Sequence, residues 1–256
     1  MLSFSWDILL LVLGGGFLSG FIDSIAGGGG LIALPVLLAL QIPPHYAIGT
    51  NKFAATFGAA VSSYQFFKAG KVDMHLLYRL MPFTLGGAII GCLFMLHLSA
   101  ETLQPLVILS LIAAAVFVFT RRGLGQHSSY TGMTQKTFWQ GAAFALVIGL
   151  YDGFIGPGTG TFLIIAFAML GFDFVVAAGN AKILNLVSNI TAFVLFIISG
   201  KVLYVYGLVM ALGIFLGAFF GSRMAIRHGS GFVRFVMMAV TTVLIGKLLL
   251  EYIGVI

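Results

Sequence analysis

Apolar residues run through this chain in ten blocks, broken by short polar or glycine-rich stretches. In the first half the blocks cover residues 7–25, 30–41, 45–67, 75–97 and 102–120; in the second they cover 137–153, 159–171, 174–199, 203–221 and 231–250. A bilayer core about 30 Å thick takes about 20 helical residues. The third, fourth and fifth blocks of each half reach or approach that length. The second does not: Leu31–Leu40 supplies about 15 Å of helix, and Thr161–Leu170 is equally short. Non-helical backbone is tolerated at membrane depth only where protein or a water-filled cavity satisfies it. Short, interrupted segments at matching positions of two halves therefore point to a binding site near the midplane.

The two halves are copies. GFIDSIAGGGGLIALPVLLALQIPPHYAIGTNK, Gly20 to Lys52, returns as Gly149 to Lys182. Asp23 matches Asp152, Gly27 matches Gly156 and Gly29 matches Gly158; after one inserted residue, Gly30 matches Gly160, Gly49 matches Gly179 and Lys52 matches Lys182. The register holds onward, Gly70-Lys71-Val72 returning as Gly200-Lys201-Val202 and Gly87 and Gly91 as Gly217 and Gly221. Duplication, not chance composition, keeps a register that far. The pattern predicts an all-α polytopic membrane protein with two inverted repeats of about four to five helical segments each, broken or re-entrant at the glycine-rich loops. The first transmembrane repeat is placed at 1–120, a cytoplasmic linker at 121–136 and the second repeat at 137–256.

Composition supports a membrane setting: 60% of residues are hydrophobic and 8% charged, against about 25% charged in soluble domains. The net charge of +6 then concerns loop topology rather than nucleic acid. Basic residues cluster at Lys68, Lys71 and Arg79, at Arg121, Arg122 and Lys136, and at Arg223, Arg227 and Arg234. The positive-inside rule puts all three clusters in the cytoplasm, both termini outside, and the halves in opposite orientation; Lys201 is the exception. The lone Cys92 excludes a disulfide framework within the chain. The apolar N-terminus lacks a basic start and runs directly into the repeated motif, so it reads as part of the mature protein.

Candidate chemistry sits in the repeated stretch. The loops at Gly27, Gly28, Gly29 and Gly30, and at Gly156, Gly158, Thr159 and Gly160, let backbone approach a ligand, and a helix starting after such a loop favours an anion. Close helix packing is the plain alternative. Neither loop continues as a phosphate-binding Gly-Lys-Ser/Thr motif. Lys52 and Lys182 lie about 10 Å into long helices, beside Asn51 in one case. Asp23 and Asp152 sit where a helix should break. Charges at such depth are functional candidates by default, with a structural Asp–Lys pair or a helix-capping aspartate as the alternative. Asn185 and Asn189 follow Lys182 on one helical face, and Thr56 and Ser63 follow Lys52 on another; two such stripes predict a hydrated cavity. The expectation is that a lysine contacts an anion directly and the aspartates take part in coupling. Gly87-x-x-x-Gly91 and Gly217-x-x-x-Gly221 read as close helix crossings, within or between subunits. Tyr78, Trp139, Tyr204 and Tyr206 read as an aromatic belt. The five histidines have no metal-ligand spacing, and no nucleophile–base constellation stands out.

At these residues the chain resembles the sulfite exporter TauE/SafE family of bacterial membrane transporters. The motifs that carry the likeness are Gly20-Phe21-Ile22-Asp23 with Gly27–Gly30, Ala47-Ile48-Gly49-Thr50-Asn51-Lys52, Gly70-Lys71-Val72, Tyr151-Asp152-Gly153-Phe154-Ile155-Gly156-Pro157, and Ala181-Lys182-Ile183-Leu184-Asn185. The second half departs from the first in Pro157 and in its asparagine stripe. The resemblance implies a secondary exporter of a small anion, sulfite or an organosulfonate, working by alternating access in a bacterial inner membrane. A passive anion channel and an intramembrane enzyme are the alternative classes. The expected partners are the small anion, membrane lipid and, as a candidate, further copies of the chain, with no nucleic acid and no cofactor.

Overall fold

A computed structural model describes residues 5–103, 105–107, 109–110 and 128–252, with side chains described to residue 239. No strand occurs among the described residues. The helices are α1 (Trp6–Ala26), α2 (Gly30–Ala39), α3 (Pro44–Lys68), α4 (Met74–His97), α5 (Gln135–Phe154), α6 (Thr159–Met169), α7 (Phe174–Ile198) and α8 (Tyr204–Tyr252). α8 merges the fourth and fifth blocks of the second half across a break at Gly229, where φ is 79°. Most of block 102–120, and the part of the linker that holds Arg121 and Arg122, fall outside the described residues.

Local chemistry sets the helix ends. Pro44 occupies the first turn of α3, where its missing N–H costs nothing. Asp73 and Asp173 cap α4 and α7 by accepting from Leu76 N and from Val175 N and Val176 N, relieving orphan donors. α2 and α6 are the two short helices expected. Gly15 of α1 faces Val36 of α2, whereas Ser19 and Asp23 face Gly29, so α1 and α2 run antiparallel. α5 and α6 do the same, with Gly141 facing Leu170 and the Tyr151 hydroxyl donating to Pro157 O at 2.7 Å. The chain therefore reverses at both glycine loops.

Among the described residues, four helices are long and apolar enough to cross a membrane: α1, α4, α7 and α8 as far as Ala239. Their outer faces carry exposed Leu10, Ile90, Phe94, Ile198 and Leu208, the arrangement that lipid demands. α3 is just as long but buries Asn51, Lys52, Ser62 and Ser63, which lowers its apolar average. Tyr78, Trp139 and Tyr204 are exposed as a belt requires, but Tyr206 is buried. Two residues beyond Tyr204, it points to the opposite side of α8 and joins the interior.

Contacts between the halves come in reciprocal pairs. α1 packs parallel to α8, with Gly213, Gly217 and Gly221 against the carbonyls of Leu13, Phe17 and Phe21. α4 packs parallel to α5, with Gly87 and Gly91 against the carbonyls of Leu146 and Leu150. Both Gly-x-x-x-Gly pairs are thus crossings within the chain. α3 and α7 cross antiparallel: Gly49 meets Lys201 O, and Gly179 meets Lys71 O. Beside them, Leu203 N donates to Thr50 Oγ1 at 3.0 Å and Asp73 N donates to Asn180 Oδ1 at 2.8 Å. Two apolar clusters lie at opposite ends of these helices. One includes Phe66, Leu76, Leu77 and Phe174; the other includes Ile48, Met95, Phe196 and Met210.

A Cβ added at Gly91 would overlap Leu150 O, whereas at Gly86 it would meet nothing. Gly91→Ala should lower stability by about 1–3 kcal/mol, the usual cost of overpacking, while Gly86→Ala should leave the thermal unfolding midpoint in detergent unchanged or raise it.

Candidate functional site

The glycine loops meet between the two apolar clusters. Thr161 N donates to Gly27 O at 3.1 Å, and Thr161 Oγ1 donates to Ala26 O at 2.8 Å. Gly27 has φ 81°, and a Cβ there would run into the backbone of Gly160, so glycine is required both for the turn and for the approach. Gly30 packs in the same way on Pro157.

Around this junction the charges cross over. Lys52 Nζ donates to Asp152 Oδ1 at 2.7 Å, and Lys182 Nζ donates to Asp23 Oδ2 at 2.6 Å. Each lysine sits on a long helix of one half and each aspartate at the loop of the other. The second oxygens are also engaged. Gly29 N donates to Asp23 Oδ1 at 3.1 Å, so Asp23 both caps the start of α2 and binds a lysine. Asn185 Nδ2 reaches Asp152 Oδ2 at 3.5 Å. A Cβ at Gly156 would stand 2.6 Å from Lys52 Nζ and 2.7 Å from Asp152 Oδ1; its absence makes room for the pair. The pairs differ in access. The side chains of Lys52 and Asp152 are each 2% exposed, Lys182 is fully buried, and Asp23 is 25% exposed.

A small cavity opens at this junction, and most of the residues singled out from the sequence line it. They are Asp23, Gly27, Gly29, Gly30, Asn51 and Lys52 from the first half, and Asp152, Gly156, Gly158, Thr159, Gly160, Asn185 and Asn189 from the second. Gly28 stands back from the cavity, against Leu31 and the Thr161 hydroxyl. Lys182 is absent from the lining and reaches the site through Asp23. The two polar stripes fare differently. Asn189 Nδ2 donates to Asn185 O at 2.7 Å, and both asparagines face the cavity. Thr56 instead donates to Lys52 O at 2.8 Å, closing onto its own helix, and Ser63 is buried away from the cavity. Ser19, Ala55 and Ile214 also line it. Ser19, whose hydroxyl donates to Gly29 O at 2.9 Å, lies one turn before Asp23, a spacing that could have pointed to it. Ile214, from distant α8, carries no local signal. No cluster of metal-ligating side chains occurs among the described residues.

The family model described as Sulfite exporter TauE/SafE matches residues 12–248. The chain is 36% identical to a "Probable membrane transporter protein" of Escherichia coli, over 91% of this chain and 87% of that one. It is 34% identical to one from a Sinorhizobium species, over 98% and 96%, and 31% identical to one from Haemophilus influenzae, over 96% of each.

Removing one partner of a buried ion pair strands the other charge, at a cost of about 3–5 kcal/mol. Lys52→Met should therefore lower the unfolding midpoint in detergent, and Lys52→Met with Asp152→Asn should recover most of the loss. Additive losses in the double variant would mean that the two side chains do not depend on each other.

Proposed function

The chain belongs to the sulfite exporter TauE/SafE family, and on that premise we propose that it is a secondary transporter that exports a small oxyanion, sulfite or an organosulfonate, across a bacterial inner membrane. The observation that carries this reading is the crossed pair of Asp–Lys contacts at the junction of the glycine loops. The cavity offers an anion a lysine, three asparagine amides and backbone at the starts of two short helices, the ends where helix dipoles favour negative charge. In the resting pair Asp152 neutralises Lys52. An anion takes that lysine only when the aspartate gives it up, and protonation of Asp152 releases it. Proton and anion then move together, which spares the membrane interior an uncompensated charge; export on this account runs down the anion's own gradient, and an inward proton gradient opposes it. The aspartates are on this account the coupling groups. Small cavity size and a lining whose apolar side chains are only Ala55 and Ile214 favour an oxyanion with little or no organic tail.

Alternating access needs two arrangements of similar energy. An inverted pair of repeats, 1–120 and 137–256 joined by a cytoplasmic linker at 121–136, supplies them, because exchanging the conformations of the halves exchanges the open side. The antiparallel crossing of α3 and α7, the parallel packing of α1 on α8 and of α4 on α5, and the contacts repeated at equivalent positions support this relation. The apolar clusters at the two ends serve as the gates. Any self-association would use faces other than the Gly-x-x-x-Gly pairs, which are occupied within the chain.

Purified protein in proteoliposomes should move sulfite in a saturable way that responds to a proton gradient, and sulfite or a sulfonate should raise its unfolding midpoint more than a carboxylate does. Lys52→Met with Asp152→Asn should weaken anion binding about a hundredfold, the equivalent of roughly 3 kcal/mol for a lost buried charge contact. Asp152→Asn alone should still bind the anion but ignore the proton gradient. Stabilisation by carboxylates and not by sulfur oxyanions would overturn the substrate; gradient-sensitive transport by Asp152→Asn would overturn the coupling role.

The topology is tested separately. In a Cys92→Ala background, cysteines placed at Lys136 and Lys201 should label from opposite sides of the membrane. Labelling of both from one side would rule out the inverted arrangement.

A further inference from the structure

Away from the transport site, α3 and α8 leave a groove between them on the outer face of the bundle, about 1140 Å³ with its open side included. The two helices run parallel here, with Gly58 against Ile214 and Gln65 Nε2 donating to Phe219 O at 3.2 Å. Each contributes one stripe, and the stripes change character in step. α3 passes from Ala60 and Val61 through Tyr64 to Lys68; α8 passes from Phe215 through Phe219 to Arg223. Eight helical residues cover about 12 Å, so the groove grades from apolar to aromatic to basic over the distance from acyl chain to headgroup.

The basic end is set up for an oxyanion. The Arg223 guanidinium lies 3.9 Å over the Phe219 ring, which holds its face and leaves its in-plane N–H groups for a planar or forked acceptor. Lys68 stands across the groove at the end of α3. Neither is in an ion pair among the described residues. Tyr64 is 63% and Phe215 42% exposed, so the wall is uncovered where lipid would lie.

We propose that this groove is a binding site for an anionic glycerophospholipid, its phosphate held by Lys68 and Arg223 and an acyl chain laid along Ala60, Val61 and Phe215. The charge at one end and the apolar wall at the other together fit a lipid, where a free anion would use only the first. Basic pockets between membrane helices select anionic headgroups in this way.

The test is native mass spectrometry of the purified full chain in a neutral detergent, titrated with phosphatidylglycerol, with phosphatidylcholine or with inorganic phosphate. Phosphatidylglycerol should bind about tenfold or more tighter than the zwitterionic lipid, and inorganic phosphate should neither bind nor displace it. Lys68→Gln with Arg223→Gln should weaken phosphatidylglycerol binding about twenty-five-fold, roughly fivefold for each charge. Ala60→Trp, which fills the apolar end and keeps both charges, should weaken it too. Unfolding midpoints show whether each variant is folded, and either variant on its own can decide the result. Equal binding of both lipids, displacement by inorganic phosphate, wild-type binding by either folded variant, or loss of a dimer mass in place of a lipid adduct would overturn the proposal; the last would assign the groove to a second copy of the chain.

Discussion

Two lysines buried in a membrane protein must have their charges met inside it, and each is met by an aspartate from the other half of the chain. That constraint organises the molecule. Neither half neutralises its own charges, so the halves must dock before either core is tolerable in lipid. Docking at that depth brings two loops tip to tip, and only backbone without Cβ atoms fits at Gly27, Gly156 and Gly160. The short helices α2 and α6 follow from the same requirement, because a chain that turns back at the junction has only part of the bilayer left to cross.

The crossed pairs also make the site responsive. A buried pair is a weak source of stability but a strong source of register. Here it ties a long helix of one half to a loop of the other, so loss of either partner alters the contact between halves. Apolar clusters flank the junction on both sides, and Asp23 keeps it partly open. The repeats are alike but not interchangeable: Asp23 is partly exposed and caps α2, whereas Asp152 is sealed and leans on Asn185.

The helix–helix seams follow a different rule from the site. Where α1 meets α8 and α4 meets α5, glycines let carbonyls approach closely, because between helices in lipid packing supplies what the hydrophobic effect does not. Where α3 meets α8 nearer the surface, the seam opens into the basic and aromatic groove. Both seams join one half to the other, so α1 with α8 and α4 with α5 form the close-packed units of the bundle.

Much of this was legible in the chain itself. Block length and the scarcity of charge identify membrane helices, since the bilayer sets both, and the 129–130-residue register pairs Asp23 with Asp152 and Lys52 with Lys182. The two short blocks and their glycine loops mark the reversals because no ten-residue helix spans a bilayer. Other features depended on which surfaces meet. Periodicity placed Thr56 and Ser63 on a cavity stripe, but Thr56 closes onto its own helix; spacing says which face a residue shares, not what that face abuts. Tyr206 resembled a belt residue until the packing of α8 turned it inward. Ile214 reaches the cavity from a helix far away in sequence. Above all, the crossing of the ion pairs was open: an aspartate and a lysine in each half can pair within or between halves with the same local sequence. Only the antiparallel crossing of α3 and α7 brings each lysine to the other half's loop.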